Sequence, residues 1–260
     1  MKTHHFIFLV FILLITVFLT FRISHSYFSD SGTSSDNILA ASDTFPTATP
    51  TNTPTPTVTQ TPTPTPQLVN HVVISEVQID GGTGDANKND FIELYNPTSS
   101  SIPLNGLRLI KRTASSGNDT TIYNFTSSHN INAHGYFLWG HKSSNNNFAD
   151  IIFADVSSAD TLAVNNSIAL KNVATGAIVD ALSWDSSSLS LKEETEFSPN
   201  PSANQSAERK ANSTSTVSSM NSGGVDEFKG NGYDSDNNST DFILRTLSQP
   251  QYSTSSAEIP

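Results

Sequence analysis

Two glutamates and two clusters of aspartate are the side chains of this chain best suited to do chemistry. Glu76 and Glu93 each sit inside a short apolar run, VVISEVQI (Val72–Ile79) and DFIELYN (Asp90–Asn96). If the two runs are neighbouring strands, the carboxylates can lie side by side. A carboxylate pair held roughly 5–9 Å apart around a sugar is what glycoside hydrolysis requires. The ordinary alternative is that both are structural or face solvent. The aspartates lie in DGGTGDANKND (Asp80–Asp90) and DSDNNSTD (Asp234–Asp241). Calcium takes about 6–8 oxygens from carboxylates, amides and backbone carbonyls, so Asp80, Asp85, Asp90, Asp234 and Asp236 form a candidate calcium set if the two loops meet at one pole of the fold. The spacing Asp234-x-Asp236-x-Asn238 follows the start of an EF-hand loop, but Ser239 and Arg245 stand where its glycine and terminal glutamate belong. Turns built from Asp, Asn and Gly need no ion.

Other chemistries lack their residues. The chain has no cysteine, and its 7 histidines show no paired metal-ligand spacing, which argues against a structural zinc site. No nucleophile elbow, Walker loop or dinucleotide-binding glycine pattern is present. The formal net charge is -11, and such a chain repels a phosphate backbone, so nucleic acid is not an expected partner. Charged residues make up 14%, and Ser, Thr and Asn are abundant. These residues disfavour helix interiors, which suits an all-β protein better than a helical enzyme.

The N-terminus reads as an export signal over residues 1–26. Lys2 precedes a run from Phe6 to Phe21 that carries no charge, and Ser24-His25-Ser26 offers small residues for cleavage. Left uncleaved, the run is a membrane anchor, the one route to membrane association. Either way the rest of the chain is expected outside the cell or at its surface. Residues 27–68 read as a linker. Pro46, Pro50, Pro54, Pro56, Pro62, Pro64 and Pro66 alternate mainly with threonine. A segment with so little apolar surface stays extended as polyproline II, and the eighteen residues from Thr49 to Pro66 span roughly 55 Å at about 3.1 Å each.

Beyond Gln67 the pattern turns period-two and β-branched. His71–Ile79 places Val73, Val77 and Ile79 on one face and Ile74, Glu76 and Gln78 on the other. Asp90–Asn96 sets Ile92 and Leu94 against Phe91, Glu93 and Tyr95. Further strands are predicted at Leu104–Lys111, Thr121–Phe125, Gly135–Gly140, Asp150–Ala154, Ser167–Asn172 and Ala177–Trp184, with turn residues between them. No stretch keeps a helical apolar stripe for three turns. Short strands at this spacing predict an antiparallel sandwich or barrel.

The order of these motifs resembles a lamin tail domain. Ile74-Ser75-Glu76-Val77, Phe91-Ile92-Glu93-Leu94-Tyr95-Asn96, Leu104-Asn105-Gly106-Leu107-Arg108-Leu109 and the closing segment with Asp180 and Trp184 carry the likeness over about Val69 to Ser186. Leu107 replaces the usual tryptophan. The resemblance implies an all-β, immunoglobulin-like antiparallel β-sandwich over 69–186, of the kind found in exported bacterial proteins, and a role in protein or surface binding without catalysis. It names no partner beyond an unidentified protein or cell-envelope surface. Within the Ser/Asn-rich extension, 187–260, the segments 206–210 and 230–253 resemble parts that complete the domain in bacterial members, with Asp241–Arg245 as a further strand and Asn212–Gly224 as a mobile loop. Tyr27-Phe28-Ser29-Asp30 resembles the start of mature camelysin-like and biofilm-matrix precursors, a shared export signature over roughly twenty residues. A secreted hydrolase using Glu76 and Glu93 is the alternative function.

The export reading has a direct check. Intact-mass measurement of protein from the culture supernatant is expected to return a chain beginning at or near Tyr27. Recovery only as the full-length chain in the membrane fraction would replace cleavage with anchoring.

Overall fold

Strands form where β-branched and aromatic residues alternate with polar ones, and Gly, Asn, Asp and Pro end them. The computed structural model describes residues 69–79 and 88–260; the export signal, the linker, Asp80 and Asp85 lie outside them. The strands are β1 (Val73–Gln78), β2 (Phe91–Tyr95), β3 (Ile102–Pro103), β4 (Leu107–Thr113), β5 (Thr120–Asn124), β6 (Asn130–Ile131), β7 (Tyr136–His141), β8 (Val156–Ser158), β9 (Asn166–Asn172), β10 (Ile178–Ser183), β11 (Ser206–Arg209) and β12 (Phe242–Arg245). Among the described residues, three one-turn helices interrupt them: α1 (Phe148–Ile151), α2 (Val217–Met220) and α3 (Asn238–Asp241). None of the described helices is long and apolar enough to cross a membrane.

One sheet has the order β12-β11-β1-β2-β7-β8 and the other β10-β9-β4-β5, with a small β3-β6 ribbon beside them. Every pair is antiparallel except β7–β8, which is parallel. The two sheets form an immunoglobulin-like β-sandwich. Ile74, Val77, Ile92, Leu94, Phe137 and Trp139 from the first sheet and Leu109, Ile122, Ile168, Leu170 and Leu182 from the second fill the space between them. Trp139 Nε1 donates to Ser158 Oγ at 3.1 Å and Trp184 Nε1 to the Ala163 carbonyl at 2.9 Å, so both buried indoles keep their hydrogen bond.

The faces of β1 depart from strict alternation. Ile74 pairs with Leu94 and Glu76 with Glu93, and a bulge at Ser75 separates them. An extra residue on one strand shifts everything beyond it by one position. Ile74 and Val77 therefore both enter the core, while Val73 joins Val69, Tyr95 and Tyr136 in a separate cluster. On β2 the expected faces hold: Ile92 and Leu94 are in the core, and Tyr95 is in that other cluster.

The segment Asp150–Ala154, predicted as a strand, is instead the end of α1 and a turn. Asn146 Oδ1 accepts the Phe148 amide at 2.8 Å and opens the helical turn. Ala149 packs on Gly140 of β7, where an added Cβ would lie 2.9 Å from the Ala149 Cα. That contact holds the turn against the sheet and leaves Ile151 and Phe153 exposed. A second departure is Asn212–Gly224, expected as a mobile loop. Thr216 and Ser219 close a capping box on α2, and Met220 is buried. Asp226 accepts from Asn212 Nδ2 at 3.1 Å and from Ser215 Oγ at 3.0 Å. Side-chain hydrogen bonds fix a segment poor in apolar residues.

The extension builds part of the first sheet. β11 pairs with β1 and β12 with β11, so β1 is interior and its unpaired edge is covered. Phe242 of β12 is buried in the common core. Deleting Gly230–Pro260 removes that side chain, worth roughly 1.5–3 kcal/mol. At about 2–4 °C per kcal/mol for a domain of this size, the melting midpoint is expected to fall by at least 3–12 °C. An unchanged midpoint would show that the extension contributes nothing to folding.

Candidate functional site

Two polar clusters stand out, one between the sheets and one on the outer side of the first sheet. The inner cluster is centred on Arg209, which is fully buried. The β1–β11 ladder runs from Gln78–Ser206 to Glu76–Glu208 and stops at the bulge. Beyond it, Ile74 meets side chains instead of a strand. Its amide donates to Asp180 Oδ2, and its carbonyl accepts from Arg209 Nε at 2.8 Å. Arg209 Nη2 donates to both Asp180 oxygens at 2.8 and 2.9 Å. Nη1 donates to the Tyr233 carbonyl at 3.1 Å and lies 3.2 Å from Asp234 Oδ1 and 3.6 Å from Asp241 Oδ2. The guanidinium also sits 4.6 Å from the Phe242 ring centroid.

The surrounding charges are ordered by this contact. Burial works to raise the Asp234 carboxyl, but His71, 3.4 Å away, and Arg209 outweigh it and hold it at about 2. The hydrogen bond to Asp234 raises His71. Burial and the Asp180 charge push Glu193 up to about 10, so it is a neutral acid at pH 7. Asn238 of α3 completes the cluster. Its Oδ1 accepts the Ser183 amide at 3.0 Å and its Nδ2 donates to the Ala181 carbonyl at 2.8 Å, so a side chain satisfies the free edge of β10.

Three members of the expected calcium set, Asp90, Asp234 and Asp236, lie among the described residues. Asp90 precedes the residue paired with Gln78, at the far end of β1, and its Oδ2 accepts the Leu162 amide at 2.7 Å. Asp234 is held at the near end through Arg209 and His71. Four residue steps from Ile74 to Gln78 span about 13 Å, far beyond the reach of one ion. Among the described members, Asp234 and Asp236 come together, the Asp236 amide donating to Asp234 Oδ1 at 3.2 Å; Asp80 and Asp85 lie outside the described residues. The carboxylates that do approach one another are Asp180, Glu193 and Asp234, with oxygens within 4.8 Å. Arg209 already brings the positive charge to this group, and Asn238, which by its spacing reads as part of an ion loop, plugs the edge of β10, a role that sequence cannot tell from turn chemistry.

The outer cluster contains the glutamate pair. Glu76 lies opposite Glu93 on β2 and opposite Glu208 on β11, so three carboxylates stand in a row across three strands. Residues directly opposite in an antiparallel pair have Cβ atoms about 4.5–5.5 Å apart, a spacing compatible with a catalytic pair. Their surroundings are not those of a cleft. Glu76 is 2% exposed and Glu93 1%. Ser206 Oγ and the Gln249 amide donate to Glu76, and Ser75 Oγ and the Gln251 amide donate to Glu93. The chain's own C-terminal segment lies where a sugar would have to enter. Burial and the neighbouring Glu208 charge push Glu76 up to about 8; burial and the Glu76 charge raise Glu93 well above the usual range; burial, offset by Arg245, puts Glu208 at about 7.

Residues 65–186 match the family model of the Lamin Tail Domain. That segment carries β1 to β10, with Asp180 of the inner cluster, whereas Arg209, Asp234 and Asp241 come from the extension. No curated protein matches the chain.

A buried ion pair broken on one side leaves an uncompensated charge, at a cost of roughly 3–5 kcal/mol. Arg209→Leu is expected to lower the unfolding free energy by about that amount in urea titrations. Adding Asp180→Leu to it is expected to recover part of the loss. A loss under about 1 kcal/mol for Arg209→Leu would mean that water screens the cluster.

Proposed function

With residues 65–186 forming a lamin tail domain, we propose that this chain is a non-catalytic, exported or cell-surface module that presents its β-sandwich for binding to a protein or a cell-envelope surface. The observation that carries the reading is the burial of the glutamate pair: Glu76 and Glu93 accept backbone amides of the C-terminal segment, so the carboxylates of a would-be hydrolase are engaged in holding the fold. The family is a non-catalytic immunoglobulin-like one, and its domains are generally protein-interaction modules. The sequence of residues 1–68 supports the export part, through an apolar run behind Lys2 and a Thr/Pro-rich stalk that holds the sandwich away from its point of attachment.

The test is binding of the labelled secreted protein to cells that lack it, with reducing-end release from envelope glycans measured in the same samples. Saturable binding that survives Glu93→Gln, without sugar release, is the expected outcome. Release of reducing ends that Glu93→Gln abolishes would overturn the reading in favour of the hydrolase.

A further inference from the structure

The last thirteen residues, Ser248–Pro260, form no strand or helix, yet they cross the outer face of the first sheet in an ordered path. Ser248 Oγ donates to Gln78 Oε1 at 2.7 Å over β1, and the Gln249 amide reaches both oxygens of Glu76 at 3.3 Å. The Gln251 amide reaches Glu93 on β2. The Ser253 amide donates to Asp155 Oδ2 at 3.0 Å, and Tyr252 stacks on Phe153 with ring centroids 5.7 Å apart. A turn follows, in which the Ser255 amide donates to the Tyr252 carbonyl at 2.8 Å. The chain then returns: Tyr136 OH donates to Glu258 Oε2 at 2.7 Å, Tyr95 OH to the Glu258 carbonyl, and the Glu258 amide to the His134 carbonyl at 2.9 Å. The Gly230 amide closes the path on the Ile259 carbonyl at 3.2 Å. A Cβ at Gly230 would fall 1.9 Å from Tyr95 Oη and 2.4 Å from the Glu258 carbonyl, so the pocket for the end of the segment admits only glycine there.

We propose that Ser248–Pro260 is a proton-gated strap, closed over the sheet while the row Glu208, Glu76 and Glu93 beneath it holds protons and lifting as the row ionises. Over the row the segment is held by hydrogen bonds to the side chains of Gln78, Glu76 and Glu93, so a change of charge in the row acts on the strap directly. Three carboxylates in register on adjacent strands repel one another when charged. The groups facing the row offer little to offset this. Arg245 on β12 lies 2.9 Å from Glu208 at the outer end and its charge also acts on Glu76, but no described cation lies within ion-pair distance of Glu76 or Glu93. From β1 come Ser75 and Gln78, from β2 Tyr95, from β7 Tyr136 and the neutral Leu138, from β11 Ser206, and from the strap Glu258, itself acidic. Asp155 and His134 stand at the far edge, under Ser253 and Glu258. Ser75 and Ser206 are hydroxyl partners that can donate to a carboxylate or accept from a carboxylic acid, so the closed state accommodates a protonated row.

The sign of the effect follows from where the cover comes from. Burial under the segment that crosses Glu76 and Glu93 is the largest cause of their raised values, and it outweighs the strap's own amide donors, Gln249 on Glu76 and Gln251 on Glu93, which favour the charged form. The closed state therefore binds more protons than the open state. It is favoured below the usual carboxylate range, and its advantage is lost as pH rises from about 4.5 through the values near 7 and 8.

The absence of cysteine makes a single spin label clean. Thr254 is an exposed residue of the strap, and Thr175 lies in the hairpin between β9 and β10. With a label at Thr254→Cys in the otherwise intact secreted protein, the mobile fraction is expected to rise at least tenfold between pH 6 and pH 9, since each released proton shifts the equilibrium up to tenfold per pH unit. A label at Thr175→Cys is expected to stay unchanged. Adding Glu93→Gln or, at the less buried end, Glu208→Gln is expected to weaken the response. Identical spectra at both pH values, a parallel change at Thr175→Cys, or an undiminished response in the folded glutamine variants would overturn the proposal.

Discussion

A guanidinium buried between two β-sheets must be given charge and hydrogen bonds on every side, and the way Arg209 is given them organises this protein. Its partners arrive from four places: Asp180 from β10, the Ile74 carbonyl from the bulge in β1, Tyr233 and Asp234 from the loop before α3, and Asp241 from the end of α3. Each of these elements is fixed by the demand. The bulge leaves Ile74 without a β11 neighbour, and the same ion pair fills that gap. Buried ion pairs add little net stability against a well-packed apolar substitute, but they penalise any arrangement that leaves a partner unmet. Here the penalty falls on every state in which the extension is detached from the sandwich.

The second consequence is that the outer faces of both sheets are partly closed. An antiparallel sandwich ordinarily leaves its outer faces to water. In this chain the extension crosses the first sheet over the glutamate row, and Leu191 packs on Ile110, Ala169 and Ala181 of the second. Once β11 has been held beside β1 by Arg209, Glu208 is placed opposite Glu76 and the row of three is complete. The acidic row and its cover are thus products of the same docking. A sandwich closed in this way keeps Glu76 and Glu93 out of solvent.

Much of the fold was legible because alternation and turn residues carry most of its information. β2 reads as it stands, with Ile92 and Leu94 inward, and Asn96-Pro97 marks its end. Glu76 and Glu93 were recognisable as neighbours for the same reason. What escaped were features that depend on contacts distant in sequence. The bulge at Ser75 reverses the alternation of β1, yet Ser75 is an unremarkable strand residue by type. Asp150–Ala154 has strand-like composition, but Gly140, ten residues earlier, offers a seat that only Ala149 fits. Asn212–Gly224 looks like a loop until Asp226 is brought to it. Composition shows the surplus of negative charge in the acidic segments and hides the partner of Asp234, Arg209, set in SAERK.

Arg209 makes the sandwich of residues 69–186 and the extension one cooperative unit. Native-state hydrogen exchange reads this directly, because it resolves the free energy at which each strand opens. The amides of Ala207 and Glu208 in β11 and of Leu244 in β12 are expected to exchange at the same opening free energy as Ile168 and Leu170 in β9, through global unfolding alone. Exchange of β11 and β12 at a distinctly lower free energy, with β9 still protected, would show that the extension peels away by itself and would contradict it.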